Sequence, residues 1–238
     1  MNILAVDSAA NVASAAILSG GQLLCESIVN YKKTHSETLM PMIDGLFKSC
    51  QMQPSDIDLF AAAYGPGSFT GLRIGVTTVK GLAHAVQKPV VGVSTLLGLA
   101  YNLPCCAYVV APIMDARRNQ VYNGVYCWDG TVAKELRAPR AVSIEDCVAD
   151  LRQMKKKVLF LGDGVPVHRA YIQEQLGALC AFAPANCSLH RAASVAVAAQ
   201  GLFEQGKAVN YRELVPLYLR KPQAERELEE KKHVSNRE

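Results

Sequence analysis

One order of apolar runs occurs twice along this chain, and that duplication limits its fold more than any single motif does. In the first half, short β-type runs span residues 3–6, 14–18 and 22–29. Gly20-Gly21 between the second and third reads as a hairpin turn, because glycine takes positive φ angles at little cost. Thr34-His35-Ser36-Glu37 then has the form of a capping box. Leu39, Met42, Ile43, Leu46, Phe47 and Cys50 follow at helical spacing. Pro41 removes a backbone donor inside this helix, which predicts a kink or a late start. A strand over 57–63, a helix over 70–86, a strand over 90–93 and a helix over 95–101 complete the half. Residues 107–114, 120–128 and 131–136 read as three more strands, with Asp129-Gly130 as a hairpin turn. A helix over 143–154, a strand over 158–161 and helices near 168–176 and 192–205 follow.

Both halves therefore read β-β-β-α-β-α. A dinucleotide-binding fold opens β-α-β instead. The duplicated unit points to an α/β protein of two actin-like (ASKHA, RNase H-like) lobes. They are expected over 1–104 and 105–220, followed by a charged tail over 221–238 that reads as a solvated extension. A hydrophobic fraction of 50% in 238 residues supplies apolar cores for such lobes and excludes a disordered or collagen-like chain. The net charge of +4 is too mild to announce a nucleic-acid binder. No stretch reaches the roughly 18 uncharged apolar residues of a membrane span. The N-terminus lacks a basic n-region and a cleavage site. The expected location is cytoplasmic, with no membrane partner.

Eight cysteines form no C-x-x-C and have no histidine at ligand spacing, so the usual zinc and redox patterns are absent. They read as small buried hydrophobes, with Cys105-Cys106 as a redox pair that no motif supports. The densest signal is the segment Tyr64-Gly65-Pro66-Gly67-Ser68-Phe69-Thr70-Gly71-Leu72-Arg73-Ile74-Gly75, which a strand enters and a helix leaves. Backbone amides at such a helix start attract anions. The segment is nevertheless neither a P-loop nor a G-x-G-x-x-G. Gly71 and Gly75 lie one turn apart, and Thr78 and Gly81-Leu82 continue that small-residue face. Each helical glycine costs about 1 kcal/mol relative to alanine, which favours close packing over phosphate binding. Arg73, Thr77, Lys80 and His84 form a polar stripe, either a solvated face or a partner surface.

Asp7-Ser8 follows the first strand, where actin-like ATPases place a carboxylate facing metal or phosphate. Ser8-Ala9-Ala10-Asn11 lacks the glycine and hydroxyl pattern that lets backbone approach a phosphate. Gly162-Asp163-Gly164 is a faint echo of a second phosphate loop, better read as a strand-to-helix turn. His35 has no neighbouring nucleophile, and Glu37 is explained by capping. His168, His190 and His233 are scattered without ligand spacing, and Asp115-Ala116-Arg117-Arg118 reads as a hairpin loop. Lys155-Lys156-Lys157 ends a helix, where cations suit the dipole. No nucleophile triad or working carboxylate pair emerges: the chain has an ATPase-like scaffold without its chemistry.

His35-Ser36-Glu37-x-Leu39-x-Pro41, the 65–75 glycine segment, Asp115-Ala116-Arg117 and Pro216-Leu217-Tyr218-Leu219-Arg220 resemble the bacterial TsaB (YeaZ) family, from Met1 to about Arg220. The resemblance implies two actin-like lobes and a role in tRNA threonylcarbamoyladenosine biosynthesis. It implies a non-catalytic partner of the paralogous transferase TsaD, which modifies the adenosine 3′-adjacent to the anticodon of tRNAs reading codons that begin with A. It further implies TsaE as a third member through the complex, a homodimer when alone, and tRNA met only indirectly. No cofactor is implied for the chain itself, although a nucleotide is possible at the level of the complex. The transferase's metal-binding H-x-x-x-H falls near Thr95 and Leu99, which do not ligate as imidazole does, so neither metal site nor enzyme activity is expected.

The same resemblance puts the partner surface on 36–50 and 70–86. Its residues would be His35, Leu39, Met42, Ile43, Phe47, Gly71, Arg73, Ile74, Gly75, Thr78 and Leu82. Glycines there would let helices of two chains approach, so Gly75→Leu is expected to weaken pairing while the monomer stays folded. Two other readings compete. An actin-like ATPase or small-molecule kinase would use Asp7, Ser8 and Gly162-Asp163-Gly164 as nucleotide loops. A direct tRNA binder would use Arg117, Arg118, Lys155, Lys156, Lys157 and the charged tail, and its affinity would fall steeply with salt.

Overall fold

A computed structural model describes residues 1–31 and 34–220, so the charged tail expected beyond Arg220 lies outside the described residues. Strands β1 (Asn2–Asp7), β2 (Ala13–Ser19) and β3 (Gln22–Val29) form an antiparallel meander. Its β2–β3 turn has Gly20 and Gly21 at φ 57° and 82°, the left-handed region where a Cβ is penalised. After helix α1 (His35–Cys50), strand β4 (Leu59–Gly65) joins β1 in parallel. After α2 (Phe69–Val86), β5 (Val90–Ser94) joins β4 in parallel. The sheet order is β3-β2-β1-β4-β5.

A short helix α3 (Thr95–Ala100) leads to the second sheet, built from β6 (Val109–Asp115), β7 (Gln120–Asp129), β8 (Val132–Ser143), β9 (Val158–Leu161) and β10 (Cys180–Phe182). Helices α4 (Ile144–Gln153), α5 (Val165–Leu176) and α6 (Ala192–Glu204) accompany it. Its order, β10-β9-β6-β7-β8, repeats that of the first sheet strand for strand. The protein is thus an α/β molecule with two actin-like lobes.

The layers follow from alternation along the central strands. Leu4, Val6, Phe60 and Ala62 meet Leu39, Ile43 and Phe47 of α1 and Val76 and Val79 of α2. Ile3, Ala5, Leu59 and Ala61 point to the opposite face, against Leu96 and Leu99 of α3 and Val195 and Ala199 of α6. Val110, Met114, Tyr126 and Leu161 of the second sheet enter that same core. The outer face of the second sheet packs Ile113, Val121 and Val125 on Cys147 and Leu151 of α4 and Ile172 of α5. Helices α3 and α6 therefore form a middle layer between the two sheets. The first sheet on one side and α3 on another explain the buried, alanine-rich face of α6, Ala192 to Ala196 with Ala198 and Ala199.

Four local expectations are revised. Thr34 is the N-cap of α1, but its side chain makes no capping bond. Instead, Thr38 Oγ1 donates to the Thr34 carbonyl at 3.0 Å. The helix starts at His35 and runs through Pro41, so it does not start late. Strand β8 continues to Ser143, well past residue 136. A fifth strand, β10, was not foreseen, and it closes the duplication of the first sheet.

Candidate functional site

Strand β1 delivers Asp7 to the junction of the lobes, where it is 1% exposed. One carboxylate oxygen accepts the Ala9 N–H at 2.9 Å, and the other meets His190 Nδ1 at 3.3 Å. His190, just before α6, is also 1% exposed. Burial alone would push the imidazole pKa down. The charge and hydrogen bond of Asp7, joined by Asp163, outweigh that effect and hold it above its ordinary value. Burial pushes the Asp163 carboxyl upward, although His190 opposes it. Asp163 Oδ1 also accepts the Asp115 N–H at 3.3 Å. His190 thus stands between a carboxylate of the first lobe and one of the second. The other ring nitrogen, Nε2, is buried with no hydrogen-bond partner among the described residues.

Sequence spacing places Asp7 and Asp163 correctly as strand-end residues. It misses His190, because a partner 183 residues away leaves no local pattern. Asp7 is not open to a ligand as an ATPase carboxylate would be, since an imidazole occupies its second oxygen.

The glycine segment grips the Asp7 turn from the other side. Ser68 N–H donates to the Ala9 carbonyl at 2.7 Å, and Ser8 Oγ donates to the Gly71 carbonyl at 2.8 Å. A Cβ on Gly71 would strike the Ser8 carbonyl, and one on Gly75 would strike Ser8 Oγ. Both glycines are buried, so this part of the small-residue face turns onto the chain's own β1 end, while Thr78 and Gly81 farther along α2 stay at the surface. Gly75→Leu therefore disrupts folding before it reaches any partner. His35 likewise looks inward, with Nε2 2.7 Å from the Ala10 carbonyl. On the second lobe, Gly164 N–H donates to the Ile113 carbonyl at 3.1 Å, and Gly162 has φ 101° and packs on that carbonyl. Gly162-Asp163-Gly164 is a strand-to-helix turn clamped to β6.

A cleft of about 500 Å³ opens between these loops, lined in part by Asn11, Gly67, Asp115, Arg117 and Asp163. The segment after α6 lies along it as a strap. Leu217 N–H donates to the Tyr64 carbonyl at 2.7 Å. Tyr218 stacks on Phe69 with centroids 4.5 Å apart, and its hydroxyl accepts from Arg73 Nε at 3.2 Å. Arg220 Nη1 donates to the Ala116 carbonyl in the β6–β7 turn. The strap thereby connects α2 to the second sheet across the cleft.

The outer surface of α1 and α2 carries a different feature. A groove of about 570 Å³ runs between them, lined by Ser36, Met40, Arg73, Ile74, Thr77, Thr78, Gly81 and Leu82. A second hollow of about 350 Å³ continues it past Met40, Ile43, Phe47 and Met52. Of the expected partner residues, Arg73, Ile74, Thr78 and Leu82 line this groove, while Ile43 and Phe47 are buried but floor the hollow. Met42 is half-buried, and Leu39 turns fully into the core. Met40, 48% exposed, is the residue that the apolar periodicity overlooks, because it stands off the α1 core stripe.

Thr95 opens α3 and Leu99 follows one turn later, and both are buried in the middle layer. Among the described residues, no three His, Cys, Asp or Glu side chains converge as a metal site would require. No described helix is long and apolar enough to cross a membrane.

Comparison with known proteins gives a consistent picture. The family described as TsaD, tRNA N6-adenosine threonylcarbamoyltransferase, matches residues 22–228 of this chain. The chain is 35% identical to the tRNA threonylcarbamoyladenosine biosynthesis protein TsaB of Bacillus subtilis, covering 94% of this chain and 96% of the relative. A crystal structure of a Pseudomonas aeruginosa protein described as similar to peptidase YEAZ superposes with TM-score 0.78 at 28% identity, covering 92% of this chain and 99% of that one. The structure of YeaZ from Pseudomonas aeruginosa superposes with TM-score 0.75 at 26% identity over the same shares.

Proposed function

Because the chain belongs to the TsaD-type family and, within it, to the TsaB (YeaZ) proteins of tRNA threonylcarbamoyladenosine biosynthesis, we propose that it serves that modification as a non-catalytic partner of the TsaD transferase. The observation that carries this reading is the groove between α1 and α2. Met40, Ile74 and Leu82 present apolar surface there, uncovered by any element among the described residues, which is the feature expected of a docking face. Arg73, fixed by Phe69 and Tyr218, supplies a preset charge at its rim. On this proposal TsaD takes the groove in the complex, a second copy takes it when the chain is alone, and TsaE and tRNA join through the complex.

The non-catalytic part rests on the filled interior. His190 occupies the Asp7 carboxylate, and Thr95 and Leu99 lie in core packing where the transferase's histidines fall. The cleft favours a second reading, an actin-like ATPase or small-molecule kinase, with the strap over 217–220 forming part of its wall.

Ile74→Glu tests the proposal, because Ile74 is only half-buried and faces the groove. The expected outcome is a folded protein whose affinity for TsaD falls at least ~10-fold, consistent with loss of one well-packed contact. Cells carrying only this variant should lose threonylcarbamoyladenosine by tRNA nucleoside mass spectrometry. Unchanged affinity would remove the groove from the interface. Nucleotide turnover by the isolated chain would favour the second reading.

A further inference from the structure

We propose that Cys25 and Cys50 are a peroxide-sensitive thiol pair that closes reversibly to a disulfide, stapling the end of α1 to edge strand β3. Their Sγ atoms lie 2.8 Å apart as free thiols, and both residues are partly exposed, so a small oxidant can reach them. The juxtaposition is built by two separate elements. Cys50 is the last residue of α1, and the helix stops there because Gln51 takes the left-handed conformation at φ 52°. On β3, the pairing register slips between Ile17–Cys25 and Leu18–Leu23, which leaves Leu24 as an extra residue. Such a bulge re-aims the adjoining side chain. Cys25 then sits under the last turn of α1, with its Sγ 3.9 Å from the Leu46 carbonyl.

The chemistry assigns the two thiols different parts. Burial, with help from Cys50, pushes the Cys25 thiol up to about 12, so it stays protonated near neutrality. With Cys25 held protonated beneath the last turn of α1, Cys50 is the residue assigned the first attack. Its sulfur attacks a hydroperoxide oxygen: the S–O bond forms, the O–O bond breaks, and the leaving alkoxide or hydroxide takes a proton. Cys25 sulfur then attacks the Cys50 sulfenic acid. The S–S bond forms, the S–O bond breaks, and the Cys25 proton departs with the hydroxyl as water. A dithiol reductant reverses the step by exchange, returning two thiols. Cys147, by contrast, is buried in the second lobe's core and its thiol is also pushed up to about 12 by burial, so it is no competitor.

The test uses the reduced full-length chain treated with hydrogen peroxide and mapped as peptides without reduction. The expected result is a Cys25–Cys50 linked peptide and a melting temperature higher by about 5–10 °C, both reversed by dithiothreitol. In Cys25→Ser, peroxide should leave a dimedone-reactive sulfenic acid at Cys50 and no rise in melting temperature. Cys50→Ser should show neither product. A wild-type map with Cys50 carried to sulfinic acid and no link would overturn the proposal. So would a disulfide found only at Cys105–Cys106, or a rise in melting temperature that persists in Cys25→Ser.

Discussion

At the scale of single residues, His190 links the two halves of the chain through charge. Its pKa stands above the ordinary value near 6.5, so its contribution is fully present below about pH 6.5 and is lost as pH rises through the raised folded value. Asp163 acts with the same sign. Its carboxyl is harder to ionise in the folded chain, so stability also declines as pH climbs above the ordinary carboxylate range near 4. Asp115 beside Asp163 adds to that effect. Urea midpoints should therefore fall as pH rises above about 6.5, and His190→Gln should flatten that slope. Asp7→Asn, which leaves the buried imidazole without its charge partner, should cost about 3 kcal/mol near neutral pH, measured by the same titration. Asp7 was legible in the sequence as a strand-end carboxylate. Its partner was not, because only the folded chain brings residues from opposite ends together.

At the scale of elements, the strap over 216–220 shows how a short motif without periodicity can fasten two lobes. Tyr218→Ala removes the Phe69 stack and the Arg73 hydrogen bond together. The expected cost is about 1–2 kcal/mol, with faster amide exchange over 216–220, read by hydrogen-exchange mass spectrometry. Elements with strong periodicity or glycine turns were legible: β1 to β3, α1, α2 and α6 all lie where apolar spacing puts them. Strand β8 was cut short because Arg137, Pro139 and Arg140 break its alternation. The fold tolerates them because β8 is an edge strand, with register slips opposite 123–126 and with Arg137 and Arg140 both paired to Asp150. Strand β10, three half-buried residues at the opposite edge, is too short to produce a period. Gly71 and Gly75 of α2 do mark a close approach, whereas Gly81, read the same way, faces open space. Spacing alone does not say whether the approaching surface is another chain or, as here, Ser8.

At the scale of the whole molecule, the repeated strand order defines two lobes, but the core does not divide between them. One cluster takes in Ile3 and Ala5 of the first sheet, Leu96 and Val195 of the middle helices, and Val110 and Tyr126 of the second sheet. Trp128, the one tryptophan of the chain, packs against that same cluster. Its fluorescence and the far-UV circular dichroism should report a single coincident thermal transition. Two separated transitions would mean that the lobes unfold independently in spite of their shared layer.

The position of α6 also bears on how the chain is made. The first sheet is complete in sequence by Ser94, yet one of its faces is covered by a helix that begins only at Ala192. During synthesis, the earliest-born sheet must wait for nearly the whole polypeptide to emerge before that face is sealed. The half that leaves the ribosome first is thus the one whose packing is finished last.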